Sequence, residues 1–439
     1  MNQSALTRIV RRVVDVRPDE LAALVWSSAY FFCLLSAYYI IRPLRETLGV
    51  AGGVRNLPWL FTGTMVVMLV ANPPFAAIVA RLPRGPFVSL TYRFFEANLL
   101  LFFALLATLP EGRAIWVGRA FFVWTSVFNL FVVSIFWAFM ADVFRPDQGR
   151  RLFGFIGAGG TIGAMAGAAA TALLAERIGP LRLLLGSVLL LELAVFCVRR
   201  LAALSPTVRE EPGGPEVSAE RIIGGGALAG VAHTVRSPYL LGICAYLLLF
   251  TMGSTVLYFE QADLAARAFD ETAARTSFFA RIDFAVNALA LLTQVFLTGR
   301  VIRLLGVGGT LSLLPALSIV GFLSLAAAPG LLVFVVFQVL RRAGEYAVAR
   351  PAREVLFTVV SREERFKAKS FIDTFVYRGG DQVGAWSYAL LMGLGLGLSA
   401  IALVAAPLAA IWLLLGLALG RAQARREGAP EPRLAPQHA

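Results

Sequence analysis

Histidine is nearly absent from this chain: there are 2 in 439 residues, His233 in a loop and His438 in the tail. Catalysis through an imidazole has little to work with. Cysteine is scarce as well. Cys33, Cys197 and Cys244 are an odd set inside or beside apolar runs, with neither a metal-ligand spacing nor a disulfide framework. Lysine is confined to Lys367 and Lys369. No Walker A pattern, Ser/His/Asp set or metal-ligand cluster occurs, so the chain is expected not to be an enzyme and to use no cofactor. Charged residues make up only 15%, against 58% hydrophobic residues and a mean hydropathy of +0.74. That balance excludes a soluble domain of this length and implies a polytopic helical membrane protein. The net charge of +13 comes from arginines flanking apolar runs, which is membrane topology rather than nucleic-acid binding.

Twelve apolar spans are expected, at roughly 21–48, 57–80, 86–109, 114–143, 152–176, 180–203, 238–262, 277–299, 304–328, 330–350, 370–394 and 397–420. Residues 1–20 read as a basic, amphipathic cytoplasmic lead-in that lies on the membrane. No small-residue cleavage site follows, so the first span is expected to stay as an anchor. The polar stretch 205–237, with Glu210-Glu-Pro-Gly-Gly-Pro-Glu216, reads as a linker between six-helix halves at 21–204 and 238–420. Residues 421–439 read as a tail. With the N-terminus inside, the outer segments hold only Arg42, Arg45, Arg55, Arg113, Arg177, Arg182, Arg267 and Arg275 of the 40 basic residues. Most of the others fall inside, which places both termini and the linker in the cytoplasm. Six plus six helices with a cytoplasmic linker is the major facilitator layout, an all-α fold whose substrate sits between the halves near the midplane. In that layout the first, fourth, seventh and tenth helices line the cavity.

Charges inside those spans are the candidate site, because intramembrane charge is costly and by default functional. The first span ends in Tyr39-Ile-Ile-Arg42-Pro43-Leu-Arg45-Glu46. Arg42 and Arg45 share a helical face, and Pro43 between them is expected to loosen the helix. The fourth span carries Arg119, and the seventh Glu260. The tenth carries Arg341, Arg342, Glu345 and Tyr346, followed by Arg350, Arg353 and Glu354; Lys369 and Asp373 enter the eleventh. Arginine binds phosphate bidentately and stays charged at any relevant pH. Convergent arginines suit a polyanionic substrate, and Tyr39, Tyr258 and Tyr346 suit a flat ring. The same residues read equally as salt bridges that hold the protein together, for example Arg45 to Glu260. Gly157-Ala-Gly-Gly-Thr-Ile-Gly163-Ala-Met-Ala-Gly167 follows no strand, so it reads as small-residue helix packing rather than a nucleotide loop.

Several of these runs resemble the ATP/ADP translocase family, the nucleotide carriers of plastids and intracellular bacteria. Tyr39 through Leu48 is similar to its first-helix motif, and Phe136-Trp137-Ala-Phe139 with Arg150-Arg-Leu-Phe-Gly154 to its fourth-helix end. Gly253 through Glu260 is similar to its seventh-helix segment with an essential glutamate. Tyr346 through Glu354, and Lys367-Ala-Lys369-Ser-Phe-Ile-Asp373, are similar to its tenth-helix region and the segment after it. Arg45 and Arg353 stand where that family usually has lysine, and Thr125 where it has an acidic residue. The resemblance implies a monomeric carrier in a bacterial inner membrane that exchanges ATP and ADP or a related phosphorylated anion. A carrier of another anionic or amphiphilic solute, and a non-transporting scaffold on the same fold, stay open beside it.

Overall fold

A computed structural model gives the architecture. It describes residues 16–17, 20–79, 84–209, 234–360, 368–369 and 371–427, except the side chains of 73–79, 84–86, 146, 150, 205–209, 373 and 374. The expected surface helix in 1–20, most of the linker, Arg362 to Lys367 and the last residues of the tail lie outside them.

Twelve long helical segments follow one another among the described residues, with one short 3-10 turn at Val54–Asn56, and no strand interrupts them. They are α1 (Leu21–Ala51), α2 (Leu57–Val79), α3 (Arg84–Thr108), α4 (Glu111–Val143), α5 (Pro146–Ile178), α6 (Pro180–Arg209), α7 (Pro238–Ala268), α8 (Thr272–Phe296), α9 (Thr298–Ala327), α10, α11 and α12 (Leu398–Glu427). Segment α10 comprises Leu331–Gly344, a π turn at Glu345–Ala349, and Arg350–Leu356; α11 is a π turn at Ile372–Val376 running into Tyr377–Gly393. Ten helices are long and apolar enough to cross a bilayer; α10 and α11 are the two broken by π turns. The fold is the all-α, twelve-helix, major facilitator-like architecture.

Several ends differ from expectation. Pro43 lies inside α1, which runs for 31 residues, to Ala51 rather than 48. Residues 300–303, expected as a loop, are helical, and the chain turns at Gly306 instead. Its φ of 64° is a conformation that favours glycine. Segment α12 extends to Glu427 rather than ending at 420, so the start of the expected tail is helix.

The π turn in α10 has a local cause. Pro351 has no N–H, and its ring would clash with the carbonyl of residue 347 in a regular helix. Widening the helix relieves that clash: Arg350 N–H bonds to the Glu345 carbonyl, five residues back. The Ala347 carbonyl, left without its helical donor, accepts the Thr298 hydroxyl from α9 at 2.7 Å. Tyr346 C=O accepts from the Gln294 side chain of α8 at 3.1 Å.

The chain divides into two compact units. One comprises Met1–Ala219 with Gln261–Ala288, the other Glu220–Glu260 with Leu289–Ala439. Helices α7 and α8 therefore each contribute to both. In the first, α1 packs on α5 through the glycine run, and Ser36 Oγ donates to the Gly163 carbonyl at 2.8 Å. Phe136, from the Phe-Trp pair, stacks on Phe31 with ring centroids 4.1 Å apart. In the second unit, α9 meets α12 at Gly308 and Gly420, where a side chain on Gly420 would reach 2.1 Å from the Gly308 Cα. Tyr246 of α7 ties in by donating to the Leu311 carbonyl at 2.8 Å.

A buried carboxylate latches the start of α1. Glu20 is 0% exposed. It accepts from Arg151 at 2.8 Å, Gln148 at 3.1 Å and the Arg17 backbone at 3.0 Å. Burial alone would push its carboxyl up, but hydrogen bonds from Arg151, Arg17 and Gln148 outweigh that and hold it below the ordinary value of 4.5. A depressed carboxylate contributes stability that is present above its unfolded pKa and lost as pH falls through the folded one. Thermal unfolding in detergent should therefore show an acid limb, beginning as pH drops below about 4.5. Glu20→Gln should melt lower at pH 7, by about 1.5–3 kcal/mol for a lost charged contact, and should lose part of that limb. An unchanged acid limb in Glu20→Gln would assign it to other carboxylates.

Candidate functional site

In the first unit the expected arginines sit in a network of four charges. Arg42 Nη1 lies 3.2 Å from Asp283 Oδ1 on α8, and its Nε lies 3.9 Å from Glu46 Oε1. Arg45 Nη1 lies 2.8 Å from the same Glu46 oxygen. Arg45 also donates from Nε to the Phe122 carbonyl of α4 at 3.2 Å, and its guanidinium rests 3.8 Å from the centre of the Phe122 ring. The two carboxylates are the deeper groups: side-chain exposures are 4% for Asp283 and 7% for Glu46, against 18% for Arg42 and 14% for Arg45. Each cation thus has an acid behind it and an accessible edge in front. Tyr39, one turn before Arg42, puts its ring 5.7 Å from the Arg42 guanidinium. Beside the network, the Thr47 and Thr276 hydroxyls meet at 2.9 Å.

Asp283 is absent from the sequence-derived candidates. The signal for it exists: an acid within an apolar span is itself a site marker. Arg119 is placed differently from expectation. Its Nη2 donates to the Gly52 carbonyl at 3.4 Å, just past the end of α1, and its guanidinium lies on the Trp116 ring at 4.4 Å. Arg119 therefore caps a helix end.

In the second unit the candidates gather around the α10 π turn. Arg353 Nη1 lies 3.3 Å from Glu345 Oε1, and both side chains are buried. The wider turn carries Glu345 and Arg353, eight positions apart, onto the same side of the segment. Arg342 is half-buried and Arg350 exposed. Lys369 pairs with Glu354 and approaches the Phe357 ring. Asp373 has its backbone in the second π turn; its side chain is outside the described set. Glu260, eight residues before the end of α7, is 3% exposed. On α11, Asp381 pairs with Arg378 at 3.4 Å and accepts from Thr255 of α7 at 3.3 Å.

Arg341 stands apart, 3% exposed. Its Nε donates to Ser318 Oγ at 3.3 Å, and its Nη2 donates to the Phe250 carbonyl at 3.2 Å and to Ser254 Oγ at 3.0 Å. All of these partners are neutral. Arginine clusters with buried acids behind them can take up and release an anion, because a bound anion competes with the internal carboxylate for the same N–H groups.

No family model matches the chain, and no curated protein matches its sequence significantly. Its fold, however, is shared with solved transporters. An autoinhibited peptide transporter of the POT family aligns at 13% identity with a TM-score of 0.61, covering 94% of this chain and 98% of that one. The human organic anion transporter MFSD10 aligns at 15% identity and a TM-score of 0.57, over 91% of this chain and all of the other. A variant of the nucleoside transporter NupG aligns at 13% and 0.54, over 93% and 99%. These proteins share an architecture with this chain. At such identities the likeness extends to the fold alone.

Proposed function

We propose that the protein is a secondary carrier that exchanges adenine nucleotides, or a related phosphorylated anion, across a bacterial inner membrane by alternating access. The two halves at 21–204 and 238–420, joined through a cytoplasmic linker, would be the moving bodies. The observation that carries the reading is the Arg42–Arg45–Glu46–Asp283 network: two cations with accessible edges, backed by buried carboxylates, on a membrane-spanning helix. Keeping four charges at that depth purely for rigidity is expensive. The motif resemblance around Tyr39–Leu48 and 346–373 points to nucleotide. Fold neighbours that carry nucleosides and organic anions are compatible with it.

In this mechanism an arriving phosphate replaces Glu46 on Arg45 in one state and Glu345 on Arg353 in another. The internal acids then re-pair with the arginines and release the solute. Arginine's fork suits phosphate better than lysine's point charge. The test is counterflow. Proteoliposomes loaded with unlabelled ADP are given labelled ATP outside, and internal ADP should stimulate uptake. Arg45→Ala and Arg353→Ala should each weaken substrate affinity by roughly tenfold to a hundredfold, the equivalent of one charged hydrogen bond. Arg45→Lys should fall between Arg45→Ala and the parent. Uptake indifferent to internal ADP would remove the nucleotide reading. Parent-like affinity in both alanine variants would make these arginines structural.

A further inference from the structure

The second unit contains a cavity that the nucleotide reading does not use. It has a volume of about 270 Å³ and is formed by α7, α9, α10, α11 and α12. Its wall is almost wholly apolar, including Phe322, Leu391 and Trp412. Arg341, Ser318 and Ser387 bring polar side chains to it, and Trp412 an indole N–H. Arg341 is the one charged group in the lining. Its neighbours along the chain and across the bundle are committed elsewhere: Glu345 to Arg353, and Asp381 to Arg378. Its own hydrogen bonds go to two serine hydroxyls and a backbone carbonyl. A guanidinium whose hydrogen bonds all end on neutral groups keeps its charge at physiological pH and is only partly compensated. A cavity beside it is where a counter-ion belongs.

Size and composition narrow the occupant. The volume lies just under the usual range of drug-sized sites, about 300–1,000 Å³, and there is a single cation, so a nucleoside polyphosphate does not fit. The rim supplies the other half of the answer. Leu390, Val404 and Leu408 line the cavity and are also exposed, on helices that span the membrane. Arg341 lies ten residues into α10, about 15 Å along its axis, roughly half the depth of a ~30 Å hydrocarbon core. An apolar opening at that depth faces acyl chains.

We propose that this cavity binds a long-chain monoanion drawn from the bilayer, with its carboxylate on Arg341 and its chain leaving past Leu390 and Leu408. One negative charge matches the one cation in the lining, and the hydroxyl of Ser387 is a donor for the second carboxylate oxygen. The tail stays among apolar side chains, so only its head needs polar contacts.

The experiment uses the purified full-length protein in detergent with a brominated C16 carboxylic acid. Bromine quenches nearby indole, and Trp412 lies in the wall. The quenching assigned to Trp412 is the part lost in Trp412→Phe. The parent should show saturable quenching, weakened about tenfold or more in Arg341→Gln, the loss of one charged contact. Ser387→Leu, which fills the cavity and leaves the arginine in place, should also weaken it and guards against a folding defect in Arg341→Gln. The matching brominated alcohol should bind poorly to all three proteins. Equal quenching in parent and Arg341→Gln, or no effect of Ser387→Leu, overturns the site. Competition by acetate or inorganic phosphate as strong as by the unbrominated long-chain acid overturns the bilayer source. Counterflow of ATP and ADP is read separately, so failure of this site and failure of the nucleotide reading are distinguishable.

Discussion

Removing Arg42 should destabilise the protein more than removing Asp283, and removing both should cost less than the two separate losses added together. The reason is which charge is left behind. Asp283 is 4% exposed at the side chain and Arg42 is 18%. Arg42→Met removes the cation 3.2 Å from a carboxylate with almost no access to water, and breaking a buried pair in this way costs about 3–5 kcal/mol. Asp283→Leu leaves a guanidinium that still has Glu46 at 3.9 Å and an accessible edge, so its cost should sit at or below the bottom of that range. In the double variant neither charge is stranded, and two apolar side chains of similar volume meet between α1 and α8. A coupling energy of about 1–3 kcal/mol should appear in the cycle. The measurement is thermal or denaturant unfolding of the four proteins in one detergent. Additive losses would show that the 3.2 Å contact carries no energy. A second outcome bears on function: if the double variant is stable yet fails in counterflow, the pair is kept for exchange rather than for folding.

The sequence made the architecture legible because each spanning helix must satisfy its own backbone within the bilayer. Long apolar runs therefore report span number directly. The glycine run of α5 was legible for a related reason: small residues every fourth position mark where two membrane helices touch. The ion pairs were harder. Arg42, Arg45 and Glu46 stand out as charges, but Asp283 lies far along the chain, and only the folded first unit brings it to Arg42. The π turns were hidden as well. Pro351 warns of a disturbed helix, yet whether the helix ends, kinks or widens depends on Thr298 being placed to take the Ala347 carbonyl. That widening aligns Glu345 with Arg353. Arg119 was legible only as a charge in an apolar span; its hydrogen bond to the Gly52 carbonyl, just past the end of α1, is tertiary information. The assignment of Gln261–Ala288 to the first unit is tertiary information too. Nothing in the hydropathy of α7 or α8 marks that change.

Adding a single methyl group at Gly163 or Gly167 should be among the most damaging small changes in the molecule. A Cβ at Gly163 would come 2.3 Å from the Phe32 carbonyl oxygen and 2.7 Å from its Cα. At Gly167 it would come 2.3 Å from the Ser36 carbonyl oxygen. Both obstacles are backbone atoms of α1, so no rotamer change relieves the clash; the helices must separate. Separation also stretches the Ser36 hydrogen bond to Gly163. Overpacking usually costs about 1–3 kcal/mol, and with backbone on the other side each substitution should reach the top of that range. Alanine's better helix propensity returns only about 1 kcal/mol. Gly157, on the same helix, has nothing within 4 Å of its added Cβ. Gly157→Ala should therefore be neutral or slightly stabilising, which makes it the control for propensity. Melting temperatures followed by size-exclusion chromatography in detergent separate the cases. Gly163→Ala should melt well below the parent, and the Gly163→Ala/Gly167→Ala double variant should not survive purification as a folded monodisperse peak. If Gly163→Ala melts with Gly157→Ala, the α1–α5 contact is looser than its atoms indicate. The Arg42–Asp283 pair would then lose its rigid support, because α1 is held in register by that contact and carries Arg42 six residues beyond Ser36.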